Sequence, residues 1–196
     1  MFTGIIETQG QIRKISEGGG NKTFWVKSSL TSKLKIDQSV CHDGVCLTVE
    51  EIKGNSHRVT AVEETLKKTT LNYWSPGQLI NLERCLKVND RLDGHFVQGH
   101  IDTTGKCIAI NDKKGSWKFN FEFPEQFNQL IIEKGSITVN GISLTAFNVT
   151  RKSFDVAIIP YTYNHTNLNS IEPGQYVNLE FDMIGKYIIR KLSLNK

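Results

Sequence analysis

The stretch Val139-Asn140-Gly141-Ile142-Ser143-Leu144-Thr145 decides the fold, because the chain contains a second version of it. That version is His42-Asp43-Gly44-Val45-Cys46-Leu47-Thr48, which stands 97 residues earlier. The same spacing carries Pro76-Gly77-Gln78 onto Pro173-Gly174-Gln175. One spacing that holds over separate blocks of sequence indicates an internal duplication.

The two copies also match at their starts, where the spacing is shorter by two residues. There Gly4-Ile5-Ile6 corresponds to Gly99-His100-Ile101, 95 residues later. Each copy has roughly 90 residues, enough to bury a core without disulfides or a metal. The sequence therefore predicts one domain at residues 1–88, a second at residues 95–185 and a helical tail at residues 186–196.

Composition and charge argue against several functional classes. The chain has 196 residues, 38% hydrophobic content and a net charge of +4, with basic and acidic residues interspersed. Without a clustered basic surface, a nucleic-acid partner is not expected. No signal peptide and no membrane-spanning stretch stand out, so a cytoplasmic protein with reduced cysteines is expected. Cys41, His42 and Cys46 lack the ligand spacing of a zinc ribbon, so no metal is expected.

Alternating apolar and polar side chains predict strands in both copies. Residues 117–123 and residues 177–182 alternate in the way that half-buried strands do. Asn140-Gly141 and Asp43-Gly44 suit tight hairpin turns. Short strands and closely spaced turns predict a small closed barrel in each copy. The expected fold class is all-β, with two tandem six-stranded antiparallel Greek-key barrels and a short C-terminal helix.

Helical patterns are few. A short capped helix is predicted between Pro124 and Gly135. A second helix follows Asp182, and one of its faces is apolar: Ile184, Tyr187, Ile188 and Leu192. That face packs either against another subunit or back onto its own barrel, and both alternatives stay open at this point.

Four motifs together resemble the alpha-type riboflavin synthase family. They occur in order along nearly the whole chain, from Met1 to about Lys186: Met1-Phe2-Thr3-Gly4-Ile5-Ile6, Cys46-Leu47-Thr48-Val49, Gly94-His95-Phe96-Val97-Gln98-Gly99-His100 and Asn140-Gly141-Ile142-Ser143-Leu144-Thr145. The resemblance implies two six-stranded barrels, a homotrimer and no cofactor. It also implies dismutation of two 6,7-dimethyl-8-ribityllumazine molecules to riboflavin and 5-amino-6-ribitylaminouracil. Association with lumazine synthase is possible in such a protein and stays open.

A duplicated binding domain suits a reaction between two identical molecules. Two nearly equivalent pockets can hold both lumazines in a reactive orientation, which is worth up to roughly 7–11 kcal/mol in well-oriented systems. The carbanion formed by loss of a methyl proton is delocalised in the lumazine ring. The protein then has to orient the rings, exclude water and move protons.

The resemblance also implies which residues form the two pockets. The first pocket is expected to contain Gly4, Ile5, Ile6, Cys46, Leu47, Thr48, Thr60, Ala61, Val62, Glu63, Glu64 and Thr65. The second is expected to contain Gly99, His100, Ile101, Lys134, Ser143, Leu144, Thr145, Ala157, Ile158, Ile159, Pro160, Tyr161 and Thr162. In the family, the two halves of one site come from different subunits.

Catalytic roles are expected where the copies differ, because identical pockets cannot assign donor and acceptor. Cys46 in the first copy corresponds to Ser143 in the second, and either side chain could donate a hydrogen bond or add to the ring. His100 corresponds to Ile5 of the first copy, and its imidazole could move a proton near neutral pH. Phe2 would position or shield a ligand, and Asp182 would orient a polar group.

Two other functions compete with the enzyme. A non-catalytic lumazine- or flavin-binding protein with an antenna role would use the same two barrels, but such proteins tend to lose polar groups in one pocket. Here His100, Ser143 and Thr145 all remain in the second copy. A flavin-binding reductase domain should precede a nucleotide-binding unit, and no G-x-G-x-x-G motif follows a strand in this sequence.

Overall fold

The computed structural model describes residues 1–194 and consists mainly of antiparallel strands. The first copy contains β1 (Thr8–Gly18), β2 (Asn21–Lys27), β3 (Ser39–His42), β4 (Val45–Thr48), β5 (Glu51–Lys53), β6 (Ser56–Ala61) and β7 (Leu79–Arg84). The second contains β8 (Thr103–Asp112), β9 (Trp117–Glu122), β10 (Ser136–Val139), β11 (Ile142–Phe147), β12 (Ser153–Ile158) and β13 (Tyr176–Phe181). The α-helices are α1 (Glu63–Lys68), α2 (Pro160–His165) and α3 (Met183–Ser193), and 3₁₀ helices cover Ser29–Lys33, Thr70–Tyr73, Glu125–Leu130 and Asn167–Ser170.

The two sheets confirm the all-β fold class, but only the second copy forms the expected closed six-stranded barrel by its strand pairing. The second copy is a closed barrel in the order β10-β11-β12-β9-β8-β13, which is a Greek-key connection. The first is a seven-stranded sheet in the order β4-β3-β7-β1-β2-β6-β5. The additional strand is β5, whose first residue, Glu51, corresponds to Asn148. Because Asn148 has a φ of +49°, the chain turns there in the second copy instead of continuing as a strand.

Irregularities of the strands repeat with the sequence. The pairing of β1 with β2 shifts register between Ile12 and Lys14. The pairing of β8 with β9 shifts between Cys107 and Ala109, 95 residues later. A bulge bends a strand at a defined position, so its recurrence shows that the duplication extends to the curvature of the barrels.

The two hairpin turns of the repeated stretch lie against each other where the copies meet. Asp43 and Gly44 have φ values of +47° and +86°, and Asn140 and Gly141 have +46° and +80°. These angles match the type I′ turn that the dipeptides predict. A Cβ atom on Gly44 would lie 2.9 Å from the Gly141 nitrogen, so only glycine permits this contact.

Side-chain amides connect the copies beside these turns. Asn81 Nδ2 donates to the Asn140 carbonyl at 3.0 Å, and Asn178 Nδ2 donates to the Asp43 carbonyl at 2.8 Å. Asn178 and Glu180 are therefore buried, with 0% and 1% exposure, although alternation predicted a solvent-facing side of β13. The half-buried expectation for this strand is wrong, because the other copy and its neighbouring segments cover the polar face.

A pair of histidines lies inside the first sheet. His42 Nδ1 is 3.0 Å from the Val40 carbonyl, so that nitrogen carries a proton and Nε2 is an acceptor. His57 Nε2 lies 2.9 Å from His42 Nε2 and must donate to it. His57 Nδ1 then accepts from the Thr31 hydroxyl at 3.0 Å. Both imidazoles are fully buried. The hydrogen bonds require a neutral His42, because a proton on its Nε2 would face the His57 Nε2 proton, and burial lowers the pKa of His57 to about 4, which keeps His57 neutral near pH 7.

The helices differ in detail from the sequence prediction. Glu125–Leu130 is a 3₁₀ helix, and Pro124 before it provides no side-chain cap. The C-terminal helix begins at Met183, directly after Asp182, because Asp182 Oδ1 accepts from the Ile184 N–H at 3.0 Å and caps it. It thus starts three residues before residue 186, the first residue of the expected tail. Residues 195 and 196 of that tail lie outside the described residues. Within residues 1–194, none of the helices has the length and apolarity needed to cross a membrane.

Candidate active site

Two short segments, which we call arms, cross at the boundary between the copies. Arm 1 is residues 2–6 and arm 2 is residues 97–101, its equivalent in the second copy. They meet as an isolated antiparallel bridge, in which the Phe2 N–H donates to the Val97 carbonyl at 2.7 Å and the Val97 N–H returns a bond of 3.1 Å. Beyond this bridge each arm continues to the other copy's sheet.

Arm 1 lies against β11 of the second copy. The Ser143 N–H donates to the Gly4 carbonyl at 2.8 Å, and Ile6 packs on the core of the second copy. A Cβ atom on Gly4 would lie 2.6 Å from the Ser143 Cβ atom. Glycine is required here both by this contact and by its φ of +77°.

Arm 2 lies against β4 of the first copy in the same way. The Cys46 N–H donates to the Gly99 carbonyl at 2.8 Å, and Ile101 packs on the core of the first copy. These contacts run between the two groups of residues that the resemblance implies. The structure combines Cys46 with Gly99, His100 and Ile101, and it combines Ser143 with Gly4, Ile5 and Ile6.

Ser143 has a histidine partner that the sequence comparison missed. Its Oγ atom lies 2.7 Å from His95 Nδ1, and His95 Nε2 lies 3.2 Å from Thr138 Oγ1. The imidazole is thus held between two hydroxyl groups. The backbone N–H of His95 also donates to the Thr3 carbonyl of arm 1 at 3.1 Å. A neutral imidazole in this position can accept a proton on one nitrogen and release one from the other.

The surroundings of His95 favour the neutral imidazole. Its side chain is 9% exposed, and burial lowers its pKa below the ordinary value, while the negative charge of Asp182 opposes that shift. Asp182 also caps α3, so the helix start and the Ser143 site are adjacent. A buried, neutral histidine bonded to a hydroxyl can serve as a general base.

Cys46 is in a different setting. It is half-buried on β4, and burial raises the pKa of its thiol above the ordinary value. His100, on the arm that reaches Cys46, has an exposed side chain, and its backbone N–H donates to Glu180 at 3.0 Å. The two sites therefore share a backbone plan and differ in their reactive groups.

The other expected site residues have the following positions. Thr60 to Thr65 form the end of β6 and the first part of α1, and Ala157 to Thr162 occupy the same place in β12 and α2. Thr48, Val62, Thr145, Ala157 and Ile159 are exposed on the barrel surfaces. Lys134 lies in the turn before β10 with its ammonium 5.1 Å from the Phe147 ring centre. Phe2 is fully buried against Cys41 and Val97.

Comparisons with known proteins agree with this architecture. The model of the lumazine binding domain family matches residues 3–85 and 98–182. The riboflavin synthase of Actinobacillus pleuropneumoniae is 40% identical over 189 residues, which covers 96% of this chain and 88% of that protein. The riboflavin synthase of Bacillus amyloliquefaciens is 38% identical over 193 residues, covering 98% of this chain and 90% of that protein.

The chain belongs to the riboflavin synthase family. The resemblance inferred from the motifs and the expectation of an enzyme are confirmed. A crystal structure of LumP complexed with riboflavin has the same fold, with a TM-score of 0.87 over 92% of this chain and 99% of that one. Its sequence identity is 22%, so the likeness concerns the fold alone.

A cavity of about 540 Å³ in this riboflavin synthase relative lies apart from the two sites. Equal numbers of residues from each copy line it: Asp43, Thr70, Tyr73, Trp74, Gln78 and Leu79 from the first, and Asn140, Asn167, Ser170, Ile171, Gln175 and Tyr176 from the second. None of the expected site residues contributes to it.

Proposed function

We propose that this chain performs the riboflavin synthase reaction with two lumazine sites, one on each barrel. The sites are assigned to residues 1–88 and 95–185, each completed by the arm of the other copy. One lumazine donates a four-carbon unit to the other, which yields riboflavin and 5-amino-6-ribitylaminouracil. The observation that carries the proposal is the short contact between Ser143 Oγ and His95 Nδ1, because it joins a buried imidazole to a hydroxyl group, the pair that a proton transfer at the second barrel requires.

In this proposal Ser143 and His95 provide the proton transfer at the second barrel. The imidazole accepts the Ser143 proton while the hydroxyl oxygen adds to the lumazine ring. Cys46 and His100 serve the first barrel, where the thiol and an exposed imidazole provide different groups. Asp182 orients His95, and the backbone near Ala61 and Ile158 is assigned to the pyrimidine edge of each ligand.

A direct test uses 6,7-dimethyl-8-ribityllumazine and the purified chain, without added cofactor or metal. We expect one riboflavin for every two lumazines consumed, since each turnover takes a four-carbon unit from one ring to the other. Fluorescence should also report lumazine binding. Binding without conversion would replace the enzyme by the antenna-type protein, and a requirement for a dialysable cofactor would falsify the proposed reaction.

A homotrimer is the second part of the proposal, and it is supported by α3. Its apolar residues Ile184, Tyr187, Ile188 and Leu192 are 55% to 68% exposed, so this face packs little against its own barrel. Exposed apolar stripes of this kind are typical of subunit contacts. Subunits arranged through α3 would cover the lumazine sites of their neighbours.

A cytoplasmic location and association with lumazine synthase are further parts of the proposal. The four free cysteines support the cytoplasmic location.

Removal of residues 186–196 should lower the oligomeric state, because it deletes most of the apolar face of α3. Sedimentation velocity would measure the change. A second variant, Ile188→Glu with Leu192→Glu, should give the same result while it retains the helix. As a control, Arg190→Glu alters charge on α3 outside the stripe and should leave the assembly unchanged. If both stripe variants keep the wild-type mass, α3 does not assemble the subunits.

A further inference from the structure

A buried glutamate holds each arm where it crosses between the copies. Glu83 on β7 accepts hydrogen bonds from the Thr3 N–H at 2.7 Å, the Thr3 hydroxyl at 2.7 Å and the Gly4 N–H at 3.0 Å. Glu180 on β13 accepts from the N–H groups of Gln98, Gly99 and His100 at 2.7, 2.9 and 3.0 Å. The side chains are 3% and 1% exposed, so their carboxylates interact with the arms rather than with solvent.

The next contact along each arm is with the reactive residue of the other copy. Glu83 holds Gly4, whose carbonyl receives the Ser143 N–H at 2.8 Å. Glu180 holds Gly99, whose carbonyl receives the Cys46 N–H at 2.8 Å. Since a carboxylate can only accept, three donors around one carboxylate define the position of the arm backbone.

We propose that Glu83 and Glu180 are positioning residues that act crosswise, each fixing through its arm the reactive residue on the other copy's barrel. Glu83 sets the position of Ser143, and Glu180 sets that of Cys46. The inference builds on the proposed two-site function, because it assigns these residues to the same sites. It also makes the geometry of each lumazine site depend on a side chain of the other repeat.

Thiol alkylation tests the crosswise relation without any lumazine, so the outcome is independent of the conversion assay. In a Cys85→Ser background, Cys46 is the partly exposed thiol, while Cys41 and Cys107 are buried. Glu180→Gln keeps the shape but turns one acceptor into a donor, which then faces backbone N–H groups. We expect iodoacetamide to alkylate Cys46 about tenfold faster in this variant, because the arm over the thiol opens more often. Glu83→Gln should leave the Cys46 rate unchanged.

The mirror experiment moves the thiol to the other barrel. A protein with Cys85→Ser, Cys46→Ser and Ser143→Cys presents its reactive thiol on β11. Here Glu83→Gln should accelerate alkylation, and Glu180→Gln should not. The milder Thr3→Val, which removes one of the three donors to Glu83, should act in the same direction by a smaller factor and serves where the glutamine variants fold poorly.

A pH profile gives a second readout of the relation between Glu180 and the Cys46 site. Burial is the main cause that raises the pKa of Cys46, and the charge of Glu180 contributes in the same direction. Glu180→Gln should therefore shift the alkylation midpoint of Cys46 to lower pH. The proposal is overturned if each glutamine variant affects the thiol on its own copy's barrel, if both accelerate both thiols equally, or if neither changes any rate.

Discussion

Replacing His95 with glutamine should lower riboflavin formation by about 100-fold or more, the lower end of the range for general acid–base catalysis. Glutamine can still accept from the Ser143 hydroxyl and donate to Thr138, the two groups that flank the imidazole. It has no titratable nitrogen, so it cannot take the Ser143 proton. Lumazine affinity should change much less than turnover, because the hydrogen-bonding shape of the site is kept.

The pH profile of turnover distinguishes this role from packing. Burial lowers the pKa of His95, so the wild-type site contains the neutral base down to a pH below the ordinary histidine value. As pH falls through that lowered pKa, the imidazole takes up a proton and turnover should decline. This acidic limb should disappear in His95→Gln. In His100→Gln, which makes the same chemical change on the other arm, the limb should remain.

Exchange of the reactive methyl protons of lumazine gives a second measurement for the same variant. It isolates carbanion formation from the later transfer of carbon. If His95→Gln exchanges protons and turns over at wild-type rates, the histidine is part of the wall of the site, and the proton transfer has to be sought at His100.

The sequence predicted those features that local patterns determine. Asn140-Gly141 and Asp43-Gly44 predicted two hairpins because asparagine, aspartate and glycine tolerate positive φ, and the observed angles have that sign. The repeat spacing predicted paired sheets, and the recurring bulge follows it. These patterns report which side chains of a strand point toward the core of their own copy.

No comparable sequence pattern predicted that each arm crosses to the other copy. Gly4 and Gly99 bind the other copy through backbone carbonyls, and a backbone hydrogen bond leaves no side-chain pattern along the sequence. Glu180, which holds arm 2, was assigned to the polar side of an alternating strand, and Glu83 received no role. His95 escaped notice for another reason: the spacing of 95 residues places its counterpart before Met1, so a comparison of the copies has nothing to contrast with it.

The histidine pair of the first sheet leads to the second large effect, which concerns stability in acid. Burial lowers the pKa of His57 to about 4, and burial together with the neighbouring His57 lowers that of His42 well below its ordinary value. An unfolded histidine titrates near pH 6.5. Between these values the unfolded chain binds protons that the folded chain excludes, so stability rises with pH and decreases as pH falls. For His57 alone the difference amounts to about 3 kcal/mol by pH 4, at about 1.36 kcal/mol per pKa unit.

The second copy provides a natural replacement for the pair. The positions of His42 and His57 are occupied there by Val139 and Phe154, both fully buried. His42→Val with His57→Phe should therefore give a sheet whose stability depends less on pH between 6.5 and about 4. Denaturant unfolding at several pH values would measure the slope, which does not depend on whether the new side chains pack better or worse. Other buried groups, among them Asp43 with its pKa raised to about 8 by burial, titrate equally in both proteins and cancel in the comparison.

Single replacements separate the effect of the hydrogen bonds between the two histidines from the effect of burying them. His57→Phe alone leaves His42 Nε2 without its donor, and a buried unpaired acceptor costs about 1–3 kcal/mol at every pH. The double variant should thus be more stable than His57→Phe at neutral pH and should have the smallest pH slope of the three proteins. Equal slopes in the wild type and the double variant would mean that both imidazoles are protonated in the folded state. That result would contradict the tautomers assigned from Val40 and Thr31, since two protonated nitrogens cannot face each other at 2.9 Å.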